Sequence, residues 1–550
     1  METDVVIVGA GPVGLTLAID LARRGLEVAV IELRERGEPP SVKCNHVSAR
    51  SMEIFRRLGF AAHIRNAGLP PEYPHDIAFR TTMTGPEIAR IPIPSRAERY
   101  TATEGPDTDW PTPEPPHRIN QMFMEPIMFE YAWETPGITI INRVAFERFD
   151  QDEDGVRVYA RRLDDDAPVE LRCSYLVGCD GGRSLVRRQI GASLAGDAVI
   201  QRVQSTLIEA PELIERLTTV SAWGNLSLNA RRSGTVYAID GVKTWLIHNY
   251  LREGEEDFES VDRDWAIRTI LGVDEELEYR VLSKEDWYGR RLLADKFRDR
   301  RVFICGDAAH LWVPFGGYGM NAGIADAENL GWLLAAHLNG WAPETILAAH
   351  EAERHPITEQ VSYFAMNHAF STARQRRAVP PEIEDDTPAG EAARKELGRE
   401  TYALNVQQYA CAGLNFGYYY EQSPIIAYDG EAHVPYSMAD YTPSTVPGSR
   451  LPHAWLAGES LYDRLGAGYN LLRLDASVAT GSLEAAAESL GVPLQVLDVA
   501  SADAGPAYTT KLVLARPDRH VAWRGGALPA DIDGLVQRLR GALVQAQLSE

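Results

Sequence analysis

The chain has 550 residues, with 55 Lys+Arg against 78 Asp+Glu and a formal charge of −23. That length allows three or four domain-sized units and cores large enough to need no metal or disulfide staple, and the acidic balance argues against nucleic acid or an anionic membrane as the main partner. Hydrophobic content of 45% and charged content of 24% are ordinary for a globular protein, no apolar run reaches the roughly 18 residues of a membrane span, and METDVVIVGA runs from two acids into a strand rather than opening a signal peptide.

In chain order, residues 4–8 (DVVIV) read as a buried parallel strand, 12–24 as a helix with one apolar stripe stopped by Gly25, and 27–32 (EVAVIE) as a second buried strand. Together they make a βαβ unit of about 30 residues. Pro70–Pro116 is proline-rich and predicts loops and edge strands. Strands follow at 138–143, 156–162 and 169–177, and short alternating stretches between 200 and 284 predict an antiparallel sheet inserted in the first domain. RVFICG (301–306) is again a buried strand and 322–339 a long helix, while 379–395 reads as a mobile connection on composition. Beyond Pro447 a small unit has strands near 454–456, 493–498, 511–515 and 520–523, a helix near 482–490 and another after Pro529.

Gly9-Ala-Gly11-Pro-Val-Gly14 lies between the first strand and helix. Gly9 permits the tight turn, Gly11 lets backbone approach a pyrophosphate, and Gly14 allows close packing. The phosphate would sit on the helix amino terminus, whose free N–H groups favour an anion. Glu32, at the end of the second strand, is placed for ribose hydroxyls. Two later segments put an aspartate at the carboxyl end of a predicted strand, Asp180 in CDGGRS and Asp307 in GDAAH, the second continuing through Pro314 and GGYGMN (316–321) into the long helix. Ligands bind at that end of such sheets.

The trio GAGPVG, CDGGRSLVRRQIG and RVFICGDAAHLWVPFGGYGMNAGIADAENL resembles the single-component FAD-dependent aromatic hydroxylases, the group A flavoprotein monooxygenases. GSRLPHAWL, SLYDRLGAGYNLL and ARPDRHVAWR resemble the thioredoxin-like extension of the phenol-hydroxylase type, and GLNFGYYYEQSPIIAYDG is similar to the phenol and 2,4-dichlorophenol hydroxylase branch. The resemblance implies an α/β fold with a Rossmann-like FAD-binding domain in parts (1–75, 101–190, 285–400), an inserted antiparallel substrate sheet (76–100, 191–284), a connecting region (401–446) and a thioredoxin-like domain (447–550). That last unit contains no cysteine, so it lacks redox thiols.

Residue by residue, the resemblance assigns Arg50, Gln121, Asp180, Asp307, Gly319, Met320 and Asn321 to FAD beside the glycine fingerprint and Glu32, and sets Pro314 on the flavin and substrate side. The acid that phenol hydroxylase carries near the substrate hydroxyl is replaced by Asn45, with His46 beside it, so His46 becomes the candidate to draw the phenolic proton. Arg290, next to Arg291, is the candidate cation for reduced flavin. Trp223, Asn225, Tyr237, His248 and Tyr250 are candidates for the substrate pocket. No metal constellation is found around His310, and the RQRR cluster (374–377) is too short to attract a polyanion.

The implied activity is hydroxylation of a small phenolic aromatic by O2 through a flavin C4a-hydroperoxide, with NADPH or NADH as reductant. A Baeyer–Villiger or ring-modifying reaction on a polyketide-like aromatic is the near alternative, and a non-catalytic flavin-fold binder the remote one. The five separated cysteines, with no CxxC, point to a cytoplasmic protein, and a homo-oligomer is expected.

Overall fold

The computed structural model describes residues 1–543. Strand Glu2–Val8, helix Pro12–Arg23 and strand Val28–Glu32 form the βαβ unit, with Val5 opposite Val28 and Val8 opposite Ile31 in parallel register. Val5, Val6 and Ile7 are fully buried: Val5 and Ile7 pack under helices Pro12–Arg23 and Tyr318–Leu338, and Val6 packs under Val144, Phe146 and Val158 of the strands Val144–Gln151 and Val156–Arg162. The sheet has eight strands. Pro168–Gly178 lies in parallel beside Glu2–Val8, and Val302–Ile304 beside Pro168–Gly178. Three segments distant in sequence therefore end together, and their following loops meet at one edge. The long helix Tyr318–Leu338 packs on Pro12–Arg23 behind that edge.

A second, nine-stranded sheet stands over those loops. Its path runs from His310–Trp312 through Trp287–Ala294, Leu194–Glu209, Thr244–Tyr250, Gly234–Ala238 and Gly224–Ser227 to Ile77–Arg80 and the edge strand Glu87–Ile91. The boundary expected at 284 falls short, since Trp287–Ala294 pairs with Leu194–Glu209 and His310–Trp312 also joins the sheet. The segment after Trp312 thus leaves the roof and enters the glycine-rich turn directly.

Residues 379–395 are not a loose connection. A short turn of 3-10 helix at Pro381–Glu384 leads into helix Pro388–Tyr409, capped by the Thr387 hydroxyl accepting from Gly390 N–H. Ile383 and Leu397 are buried with Ile77, Phe79 and Ile91 on one face of the roof sheet. Composition marked this segment as mobile because its prolines and acids are numerous; a few apolar residues at helical spacing settle it on the edge strand.

The carboxyl-terminal unit is a four-stranded sheet in the order Leu494–Asp498, Tyr469–Arg473, Leu512–Ala515, Val521–Gly525 with helices Gly481–Ser489 and Ile532–Leu539. It is joined to the first domain by buried ion pairs. Arg516 contacts Glu353 at 2.5 Å, and both side chains are fully buried. The strap before it is pinned where Ala427 N–H donates to the Ala522 carbonyl at 2.9 Å.

Candidate active site

One cavity of about 1250 Å³ runs from the first glycine turn to the underside of the roof sheet. Its volume exceeds the roughly 300–1,000 Å³ of a single small-ligand pocket. At one end, Gly9 has φ +104°, open to glycine only, and a Cβ at Gly14 would overlap the Gly9 carbonyl oxygen. A Cβ at Gly11 would meet nothing within 4 Å, because it would project into the cavity. Helix Pro12–Arg23 starts there with no side-chain cap, so its first N–H groups face the cavity unpaired by side chains. That cradle fits a diphosphate.

The Glu32 carboxylate lies beside it, accepting from Ala10 N–H at 2.7 Å and pairing with Arg34 at 2.9 Å. Burial opposes its ionisation, but Arg34 and the backbone N–H groups outweigh burial and hold the carboxyl below its usual range. Arg34 continues to Glu125 at 2.6 Å, which accepts from Gln121 at 2.7 Å. The chain Glu32–Arg34–Glu125–Gln121 lines one wall; the Arg34 and Glu125 links lie outside the motifs that mark its ends.

Asp180 also lines the cavity, but its carboxylate caps the helix Leu185–Gln189, accepting from Leu185 N–H at 2.7 Å and from the Ser184 hydroxyl at 2.5 Å. Asp307 differs. Its side chain opens into the cavity, and its carboxylate accepts no hydrogen bond from any described residue. Depth in the molecule raises its pKa against the fields of His310 and Lys43. Gly316 and Gly317 follow at φ +74° and +66°, turning the chain so that Pro314, Gly319 and Met320 all line the cavity. A carboxylate acceptor, an uncapped helix start and a glycine turn without side chains suit a polyhydroxylated dinucleotide with a flat ring.

Several expected contacts are absent. Arg50 does not reach the cavity: it pairs with Glu328 at 3.0 Å and Glu53 at 3.2 Å and donates to the Asp518 carbonyl at 2.6 Å, at the junction with the carboxyl-terminal unit. Asn321 faces away too. Its Oδ1 accepts from Ser48 N–H at 2.9 Å and its Nδ2 donates to the His46 carbonyl at 3.1 Å, which ties two loops together. Arg290 stacks beside Tyr288, and Arg291 lies 3.6 Å over the Tyr363 ring with Asp197 and Glu359 at 3.7 Å; neither lines the cavity.

His46 and Asn45 do line it. Asn45 accepts from the Asn120 amide at 2.5 Å. The Arg118 guanidinium hydrogen-bonds the His46 ring nitrogen. Burial first, then the Arg118 and His117 charges, hold His46 well below the ordinary imidazole range. It is a neutral acceptor already engaged, not a base poised near neutrality.

The roof supplies aromatic walls. Trp223 and Tyr237 have centroids 5.0 Å apart, Tyr237 and His248 5.9 Å, and His248 and Trp287 5.9 Å, all lining the cavity with Tyr250 and Tyr409. Asn225 is not among them: Leu226 faces the cavity, and the two-residue repeat of a strand turns Asn225 to the other face, where it donates to the Ala222 carbonyl at 3.1 Å. His248 Nδ1 has no hydrogen-bond partner, and burial pushes the ring's pKa down to about 4. Sequence reasoning missed Trp287, Tyr409, Arg118 and Arg376. Arg118 stood three residues before Gln121, and Arg376 stood inside the RQRR cluster.

A family model described as "FAD binding domain" matches residues 2–365, and one described as "Aromatic-ring hydroxylase, C-terminal" matches residues 444–546. The FAD-dependent monooxygenase apdD of Emericella nidulans is 29% identical, the alignment covering 95% of this chain and 88% of that protein. The 2,4-dichlorophenol 6-monooxygenase of Cupriavidus pinatubonensis is 28% identical over 99% of this chain and 96% of its own length. Among solved structures, RebC soaked with chromopyrrolic acid, with 7-carboxy-K252c bound, is 34% identical with a TM-score of 0.88, covering 98% of this chain and 99% of that one.

Proposed function

This chain belongs to the FAD-dependent aromatic-ring hydroxylases, and from that premise we propose that it inserts one oxygen atom of O2 into a phenolic aromatic, with NADPH or NADH as the source of electrons. The observation that carries the reading is the continuity of the cavity: a dinucleotide cradle at Gly9–Val13 and an aromatic roof at Trp223–Tyr250 share one space of about 1250 Å³.

When bound, FAD supplies hydride acceptance and oxygen activation. The protein's own groups hold and orient. The helix start at Gly11–Val13 would take the diphosphate, Glu32 a ribose, Asp307 the ribityl hydroxyls, and the backbone from Gly316 to Met320 the ring system. Trp223, Tyr237, Trp287 and Tyr409 exclude water above it. His248 is neutral, its Nδ1 is enclosed, and its Nε2 makes no hydrogen bond among the described residues, so Nε2 is the atom that would hold the substrate hydroxyl.

The test is purification followed by flavin quantitation, NADH and NADPH oxidation against a panel of one- to four-ring phenols, and product mass. A gain of one oxygen with ring retained is expected. Protein that binds no flavin, or whose NAD(P)H oxidation ignores every phenol, overturns the reading. The depressed basicity of His46 and His248 favours one rival outcome, oxygen insertion beside a carbonyl, which needs no phenol deprotonation; a ring-expanded lactone, or the hydroxy acid that water makes from it, would select it.

A further inference from the structure

Buried guanidinium groups in this protein are almost all neutralised. Arg50, Arg65, Arg99, Arg354, Arg450 and Arg516 each have a carboxylate within 4 Å. Among the described residues classed as buried, only Arg118 and Arg187 do not. Arg187 is accounted for, its fork donating to the Ala308 and Gly182 carbonyls at 2.9 and 3.0 Å.

Arg118 is 2% exposed and lines the cavity. Its terminal nitrogens donate to the Tyr409 carbonyl at 3.2 Å and to His46, each keeping a second N–H, and its Cζ lies 5.1 Å from the Trp223 ring; the carboxylate whose field reaches it, Asp107, is already paired with Arg99 at 2.7 Å. A second cation faces the same roofed space: Arg376 stacks 4.2 Å above the Tyr250 ring, with one hydrogen bond to Gln201 at 3.3 Å and no carboxylate within 4 Å among the described residues. A charge removed from water without a counter-charge is costly. Two such charges on the aromatic half of one cavity describe a receptor lacking its anion. A guanidinium plane with free N–H groups matches a carboxylate best.

We infer that the substrate is an aromatic carboxylate, anchored by Arg118 beneath the Trp223–Tyr237 wall, with Arg376 supplying a second positive charge beside Tyr250. The inference rests on the aromatic-hydroxylase reading and narrows its substrate class. It makes Arg118 a specificity-determining residue that contacts substrate, and it gives the RQRR cluster one member with a role inside the molecule.

The test uses flavin-loaded protein and three probes, 1-hydroxy-2-naphthoate, its methyl ester and 1-naphthol, titrated by the change in flavin absorbance. The acid is expected to bind about 10- to 100-fold tighter than the ester, the loss that follows removal of one charge-assisted hydrogen bond. Arg118→Met should bring the acid-to-ester ratio near one, Arg118→Lys should keep part of it, and Arg376→Met should lower it several-fold. Equal binding of acid and ester by the wild-type protein overturns the inference without any variant, and so does an acid that fails to bind up to about 1 mM. A lowered flavin midpoint potential in Arg118→Met with the acid-to-ester ratio unchanged also overturns it, assigning the cation to reduced cofactor. Tight acid binding without acceleration of NAD(P)H oxidation by any probe sinks the hydroxylase reading and leaves the anion receptor standing.

Discussion

A Cβ at Gly14 would overlap the Gly9 carbonyl oxygen and approach the Cys179 side chain, whereas one at Gly11 would enter open cavity. The two glycines therefore fail differently. Gly14→Ala should be destabilised by about 1–3 kcal/mol, the cost of overpacking, with flavin binding weakened as the helix start moves. Gly11→Ala should keep its melting temperature and lose flavin affinity at least tenfold. Thermal melts beside flavin fluorescence titrations check the pair, and equal behaviour would refute the distinction. The histidines give a second contrast. His46 is held well below the ordinary imidazole value and His248 at about 4, so neither titrates near 6.5. We expect kcat/KM to show no histidine-type fall centred near 6.5, His46→Gln to keep the profile, and His248→Phe to lower kcat about tenfold. A midpoint near 6.5 that vanishes in His46→Gln would restore His46 as the base. The glycine positions were legible in the sequence because a turn is fixed by its own few residues. The protonation of His46 was not, because it is set first by burial and then by Arg118, 72 residues away, and Arg50 was misplaced because its partners Glu328 and Asp518 arrive from distant segments.

At the scale of elements, the helix Pro388–Tyr409 does what its composition conceals. It lies along the edge strand Glu87–Ile91 so closely that a Cβ at Gly398 would overlap the Ile88 carbonyl oxygen. Its last turns carry Asn405, Gln408 and Tyr409 into the cavity wall. Gly398→Val should push the helix off the strand and displace that wall, raising the dissociation constant of an aromatic ligand about fivefold or more while flavin content stays within twofold of wild type. Ligand titration and flavin stoichiometry measured on one preparation separate the two effects; loss of both in parallel would mean the helix supports the whole fold. The parallel strands were legible from their unbroken apolar runs. The roof was legible only as short alternating stretches, because alternation tells which residues share a face but not which face meets a ligand. Trp287–Ala294 shows the limit: its pairing with Leu194–Glu209 is a property of the partner strand, and nothing local to 287–294 announces it.

For the whole molecule, the net charge of −23 conceals an interior organised around buried cations and neutral imidazoles. Glu53 is fully buried among Arg50, Arg450 and Arg519; burial raises its carboxyl, but the three guanidinium groups prevail and bring it to about 2. Glu53→Gln leaves Arg450 and Arg519 without a carboxylate at the junction with the carboxyl-terminal unit, a loss of about 3–5 kcal/mol by analogy with broken buried pairs. Its stabilisation is present above the ordinary value of 4.5 and disappears only as the pH falls toward 2. The histidines act earlier. Burial depresses His75 and His520 to about 3 and His350 to about 4, from an ordinary 6.5. Below pH 6.5 the unfolded chain binds protons that the folded chain refuses, so stability falls on acidification, by up to about 1.4 kcal/mol per pH unit for each such histidine. Melting temperature should hold between pH 8 and 7, then drop steeply from 6.5 to 4.5, before Glu53 titrates. Replacing His350 by Gln, which keeps a donor for the Asn329 Oδ1 but cannot be protonated, should flatten that slope by about one histidine's share. A melting temperature constant down to pH 5, or a slope unchanged in His350→Gln, would show that these imidazoles open to solvent and that the interior does not refuse the proton.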